Sequence, residues 1–291
     1  MKVLFCLWLA LLTVIILPAQ KVLVKPQFAE GETYIITVEL KNTTSQQAAG
    51  QPIDFSVSGT AIHSYHVIDI DSSNNSTILH HQPEHFTYSF DGMGQQRKFD
   101  SGKEEDMTSQ PGSYFKELLD KTFDLTIDST GNTLMAVPEM ISLSGQKGGM
   151  IIVMNMIKDL TDIIYPPGKR EKNFFAVLPA YEVGVGDTWT DSVNTENEKS
   201  VTENTLSAIT DSTIVVIFKT KSSSTTKMQM MGGDATSNMN SSATGQIIVD
   251  KETGIIREKT TTTDANGTTE TTVGTVPTTG KMTIVIKVRK E

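Results

Sequence analysis

A chain of 291 residues with 34 acidic against 25 basic side chains carries a formal charge of −9, and 37% of it is hydrophobic. That length supports a core, while an acidic balance without a basic run excludes a nucleic-acid binder, because phosphate affinity needs clustered Lys or Arg. Beyond the first residues no apolar run is long enough to span a bilayer as a helix, which excludes a polytopic helical membrane protein.

Met1-Lys2 is followed by an almost unbroken apolar stretch from Val3 to Leu17 and then by Pro18-Ala19-Gln20. This is the layout of a secretory signal peptide, with cleavage expected after Ala19 and no integral span left in the mature chain. The expected location is periplasmic or extracellular. Cleavage also removes Cys6, the one cysteine, and with it disulfides, thiolate metal sites and a cysteine nucleophile.

Most apolar residues that follow alternate at period two, which predicts half-buried antiparallel strands. Ile36, Val38 and Leu40 share one face, as do Phe55, Val57 and Ala61, with a change of phase near Val67-Ile68 that predicts a bulge. Phe86, Tyr88 and Phe90 share a face that ends at Asp91-Gly92. Residues 97–106 read as a charged loop, and Ser113 to Lys121 as a short helix.

Further strands are expected from Phe123 to Ile127, Thr213 to Lys219, Gly245 to Val249, Ile255 to Thr263 and Met282 to Val288. Asp128 to Asn132, Asp250 to Gly254 and Asp264 to Gly267 each offer residues that tolerate positive φ, so each is expected to close a hairpin. The first two resemble each other, which suggests two related β halves, residues 20–137 and 171–291, flanking a helical insertion at 138–170. The alternative is that the two halves form one domain.

Within that insertion Met150, Val153, Met154, Ile157, Leu160 and Ile164 recur at helical spacing before Pro166-Pro167. A helix this apolar must lie against a sheet or close over a cavity. The expected fold is therefore mainly β, with long antiparallel strands in one or two curved sheets, an open half-barrel among the options, and one apolar helix near 150–165.

Leu178-Pro-Ala-Tyr-Glu-Val183 continues into Gly184-Val-Gly186-Asp187-Thr-Trp189. With the Asp128 and Asp250 turns, this segment resembles a family of exported, β-rich bacterial proteins of unknown function, of the Bacteroidota type. The resemblance implies export and an antiparallel β fold with an inserted helix. It carries no catalytic residue. Gly186 and Asp187 read as a turn, and Trp189 as the structural anchor of the next strand.

All five histidines lie between His63 and His85. If Asp71 to Ser76 and Gln82 to Glu84 each close a hairpin, His66, His81 and His85 form a row across three strands, suited to Zn or Cu. A one-residue slip would scatter them. Met228, Met230, Met231 and Met239 bracket a glycine pair and could favour Cu(I), although methionine is also an ordinary gap filler.

Nucleophile elbows, phosphate loops, dinucleotide fingerprints and zinc-protease motifs are missing, so the reading is non-catalytic and without a cofactor. Three functions remain in view. The first is a carrier or ligand-binding protein for a lipid or another apolar molecule, with the helix as its lid. The second is a metal-binding exported protein, and the third a structural or cell-surface interaction module with Thr-rich strands at Thr260–Thr263 and Thr268–Thr272.

Overall fold

The computed structural model describes residues 21–48, 51–137, 150–162, 172–230, 233–272 and 274–291. The expected leader 1–19, the glycine pair Gly148-Gly149, Ile164, Tyr165 and Pro166-Pro167 lie outside the described residues.

The fold is mainly β. Long antiparallel strands dominate it: β2 (Thr33–Ala48), β3 (Gln51–Asp71), β4 (Ser76–Gly92), β11 (Thr213–Met230), β12 (Gly233–Asp250), β13 (Ile256–Thr271) and β14 (Gly274–Lys290). Shorter strands are β5 (Gln95–Asp100), β6 (Phe123–Asp128), β7 (Thr133–Val137), β9 (Thr188–Asn194) and β10 (Glu198–Ile209). They form one 12-stranded sheet in the order β7-β6-β4-β3-β2-β14-β13-β12-β11-β10-β9, with β5 also on β4. The path does not close into a barrel. A two-residue strand β1 (Lys21–Val22) pairs with β8 (Val183–Gly184) beside it.

Turn chemistry sets the hairpins. Asp71 caps the β3–β4 turn by accepting from the Ser73 and Asn74 amides, and Met93 and Gly94 both take positive φ in a two-residue β4–β5 turn. Asp128 accepts from the Thr130 and Asn132 amides ahead of Gly131 at φ 83°. Asp250 accepts from Glu252 and Thr253 and from the Arg257 guanidinium, ahead of Gly254 at φ 70°. Burial of Asp250 raises its carboxyl, but these donors outweigh that and hold it below the usual range.

Two expectations are corrected. Residues 264–267 close no hairpin: Ala265 pairs with Ser241 on one side and Gly280 on the other, in the middle of β13. Gly267 is needed there because a Cβ would sit 2.7 Å from the Met239 sulfur and 2.0 Å from the Asn238 carbonyl. The charged run 97–106 is also not a loop throughout. It contains most of β5 and a short helix, α1 (Glu104–Met107), followed by α2 (Gln110–Leu119), whose Ser109 cap accepts from Gly112.

One face carries the core from end to end. In register across the sheet stand Ile286, Val38, Ala61 and Phe86, then Ile284, Leu40, Gly59 and Tyr88. Phe115 and Leu118 of α2 cover β4 and β5, with Phe115 stacked on Phe99 at 4.2 Å between ring centroids. A second cluster continues on the same face with Leu206, Val216, Phe218, Ile247 and Val249.

Segment 172–177 ties the two ends of the sheet together. Lys172 bridges to Asn132 beside β7 and pairs with Asp191 on β9 at 2.5 Å, while Phe174 packs against both clusters. The face that carries the clusters is thus the inner one.

Candidate functional site

The apolar helical segment lies on this inner face. Two short helices, α3 (Met150–Ile157) and α4 (Asp159–Asp162), pack on β2 and β3. Val153, Met154, Met156, Ile157 and Leu160 are all buried. The side chain of Met150 and all of Ile164 lie outside the described residues. Leu160 sits so close to Gly59 that a Cβ there would lie 2.7 Å from its Cδ1. The described helices are therefore seated in the core, and the lid expectation is corrected to this extent: what they cover is filled.

Two buried histidines anchor them. His63 and His81 are both 0% exposed, with Nδ1 of His63 and Nε2 of His81 3.1 Å apart. His63 Nε2 lies 3.1 Å from the Leu160 carbonyl. A carbonyl only accepts, so Nε2–H of His63 donates to it. The bare Nδ1 then accepts from Nε2–H of His81, which makes the His63 ring neutral. Burial pushes the His63 imidazole down to about 3 and that of His81 to about 2. Phe123 stacks on His81 at 4.3 Å.

The expected row of His66, His81 and His85 does not form. The anticipated bulge at Ile68 is present and shifts the register, so His66 opposes His80 while His81 opposes Tyr65. Gln82 to Glu84 is no turn but a bulge within β4, which leaves His85 opposite Ile62. His81 thus faces inward, while His66 and His85 face outward to Thr33 and Asp100. Sequence reading also missed His63 as the partner of His81, because an 18-residue separation across a bulge leaves no local pattern. Among the described residues no three His, Cys, Asp or Glu side chains converge to hold a metal. In the methionine group, Met231 and the side chains of Met228 and Met230 lie outside the described residues. Met239 opposes Gly267.

At the Gly-Asp-x-Trp segment, Gly186 has φ 93° and its amide donates to the Leu206 carbonyl. The Asp187 carboxylate accepts from the Gly184 amide at 2.8 Å. Trp189 is 6% exposed and packs with Val22, Val183 and Leu206, while its indole N–H finds no acceptor among the described residues. It is built into the second cluster, with its indole turned away from solvent.

Between and beyond the clusters the inner face changes character. Along β11 to β14 it presents Thr220, Ser222, Ala243, Thr261, Thr263 and Gly280. At its border stands Lys259, opposite Ile247 and Ile286, with Nζ 5.5 Å from the Phe218 ring centroid. Neither residue was marked in the sequence, where Lys259 precedes a run of threonines. Asp159 of α4 is raised by burial, offset in part by Lys158 and reinforced by Asp162 and by Glu198 of β10. The outer face is different. Two open grooves there, of about 580 and 600 Å³, are lined by mixed charges such as Glu39, Lys98 and Asp106 in one and Asp54, Asp91 and Lys281 in the other.

Residues 170–256 match the model of a family of unknown function, DUF6263, and this span includes Gly186, Asp187, Trp189 and the Asp250–Gly254 turn. No curated protein matches. Among solved structures, one describing lipid–protein interactions in lipovitellin is similar at a TM-score of 0.50 and 10% identity, covering 90% of this chain and 26% of that one. This chain therefore spans about a quarter of that protein's length, and the likeness is one of fold. The COG4313 outer membrane channel from Pseudomonas putida F1 aligns over 91% of this chain and 97% of its own at 8% identity, with a TM-score of 0.26. Among the described residues no helix is long and apolar enough to cross a membrane.

Proposed function

We propose that this is an exported, non-catalytic protein that binds or carries a lipid or another apolar molecule on the inner face of its sheet. The observation that carries the reading is the division of that face. Its β2–β6 part is filled by α2, α3 and α4, whereas along β11 to β14 the same face presents small and hydroxyl side chains that are only part-buried. Small side chains such as Ala243, and the bare backbone of Gly280, let a ligand approach the sheet closely. The sheet architecture shared with lipovitellin, a protein described through its lipid contacts, supports the same reading.

The test is a native mass spectrum of the mature protein purified gently from its compartment, followed by solvent extraction. Bound mass in the lipid range, recovered in the extract, is the expected result. A clean apoprotein mass that also fails to take up an added apolar probe overturns the carrier reading and favours an interaction module.

A further inference from the structure

Lys259 is out of keeping with its surroundings. Its register neighbours on the inner face are Ile247 and Ile286, and the next position along the strands brings Gly245, Thr261 and Ile284. Several other lysines pair with carboxylates: Lys121 with Glu117, Lys172 with Asp191, Lys290 with Glu32. Among the described residues no carboxylate lies within ion-pair distance of Lys259, and its one partner is the face of Phe218. Phe218 is itself fixed, because its ring covers the bare backbone of Gly245, where a Cβ would lie 2.4 Å from the ring. An ammonium drawn partly out of water without a counter-charge is costly, and such groups are kept where something else supplies the charge.

Its position adds direction. Lys259 stands where the apolar clusters end and the stretch of Thr261, Thr263, Ala243, Gly280 and Met282 begins. A lone cation at the border of a stretch of small and hydroxyl side chains on β12 to β14 matches an amphiphile with one anionic head and a long apolar tail. We propose that Lys259 is the headgroup anchor for a long-chain carboxylic acid whose tail lies along β12 to β14. This rests on the carrier reading above and names its ligand class. Burial also lowers the basicity of the Lys259 amine, which agrees with a site that lacks a resident anion.

The test compares cis-parinaric acid with its methyl ester, by fluorescence enhancement on the mature protein, the Lys259→Met variant and the Lys259→Arg variant. The wild type is expected to prefer the acid by at least about tenfold, as a charge-assisted pair out of water provides. Lys259→Met should lose the preference while still binding the ester, and Lys259→Arg should retain most of it. Equal binding of acid and ester by the wild type overturns the headgroup assignment alone, as does a preference that survives Lys259→Met in a variant with an unchanged thermal melt. Failure of the wild type to bind either probe overturns the carrier reading together with it.

Discussion

The strands β2 to β4 and the strands β11 to β14 present the same inner face of one sheet, yet they are finished in opposite ways. On β2 to β4 that face holds Tyr65, Phe86, Leu40 and a buried histidine pair, with helices seated on them. On β11 to β14 it holds an apolar end and then a run of hydroxyls and glycines, some satisfied within the sheet, as Thr202 with Thr220 at 2.8 Å and Ser222 with Ser241 at 2.6 Å. Strand length alone therefore does not make a core. The difference is whether large side chains and a covering element are present to exclude water.

Acid should break the comparison most strongly, because only the packed part holds buried neutral imidazoles. Well above pH 6.5 His63 and His81 are neutral whether folded or unfolded and pH has no effect through them. Below it the unfolded chain takes up protons that the folded chain refuses until about pH 3, so stability falls with pH. Between pH 6.5 and 5 the loss should reach about 3 kcal/mol for the pair. Urea unfolding followed by Trp189 fluorescence across this range checks it, with His81→Gln expected to halve the slope. A flat profile would show that the two rings gain protons without penalty.

Next in size is Leu160→Ala, which empties the place over Gly59. A loss of about 3 kcal/mol in denaturant unfolding is expected for a fully buried leucine. A loss below about 1 kcal/mol would mean that α4 is only loosely seated. Gly254→Ala should cost about 1 to 3 kcal/mol, because φ 70° disfavours a side chain and a Cβ would lie 2.5 Å from the Lys25 carbonyl. That position lies in the β12–β13 turn against Val24 and Lys25, so its effect should leave binding along the inner face of β11 to β14 unchanged in a probe assay.

What could be read from the sequence follows the same division. Alternation in Ile36, Val38 and Leu40, the aspartate turns and the helical spacing from Val153 to Leu160 are local, and local patterns survive into the fold. The far ends of β11 to β14 were not legible, because Thr, Ser, Gly and Asn alternate without contrast. The Asn266-Gly267 pair then reads as a turn although both neighbouring strands satisfy its backbone. The histidine site was misread for a different reason. The bulge at Ile68 could be anticipated, but its effect on register reaches across to His80 and His81, and the second bulge at Glu84 has no apolar signature. Lys259 was illegible because its meaning depends on the strands beside it.

The smallest expected effect is the sharpest test of the hydroxyl-rich stretch. Thr263 opposes Ala243 and Met282 on the inner face, and its hydroxyl has no hydrogen-bond partner among the described residues. If that position is ligand surface, Thr263→Val exchanges a wetted hydroxyl for a methyl of the same shape. Unfolding free energy should then change by no more than about 0.5 kcal/mol, the usual range for positions outside a core. Binding of the methyl ester of parinaric acid should strengthen by roughly twofold to threefold, as one added methyl contact provides. Stabilisation above about 1 kcal/mol with unchanged ester binding would instead place Thr263 in a packed interior. The two parts of the inner face would then differ in residue type only, and the stretch over β12 to β14 would have no room for a tail.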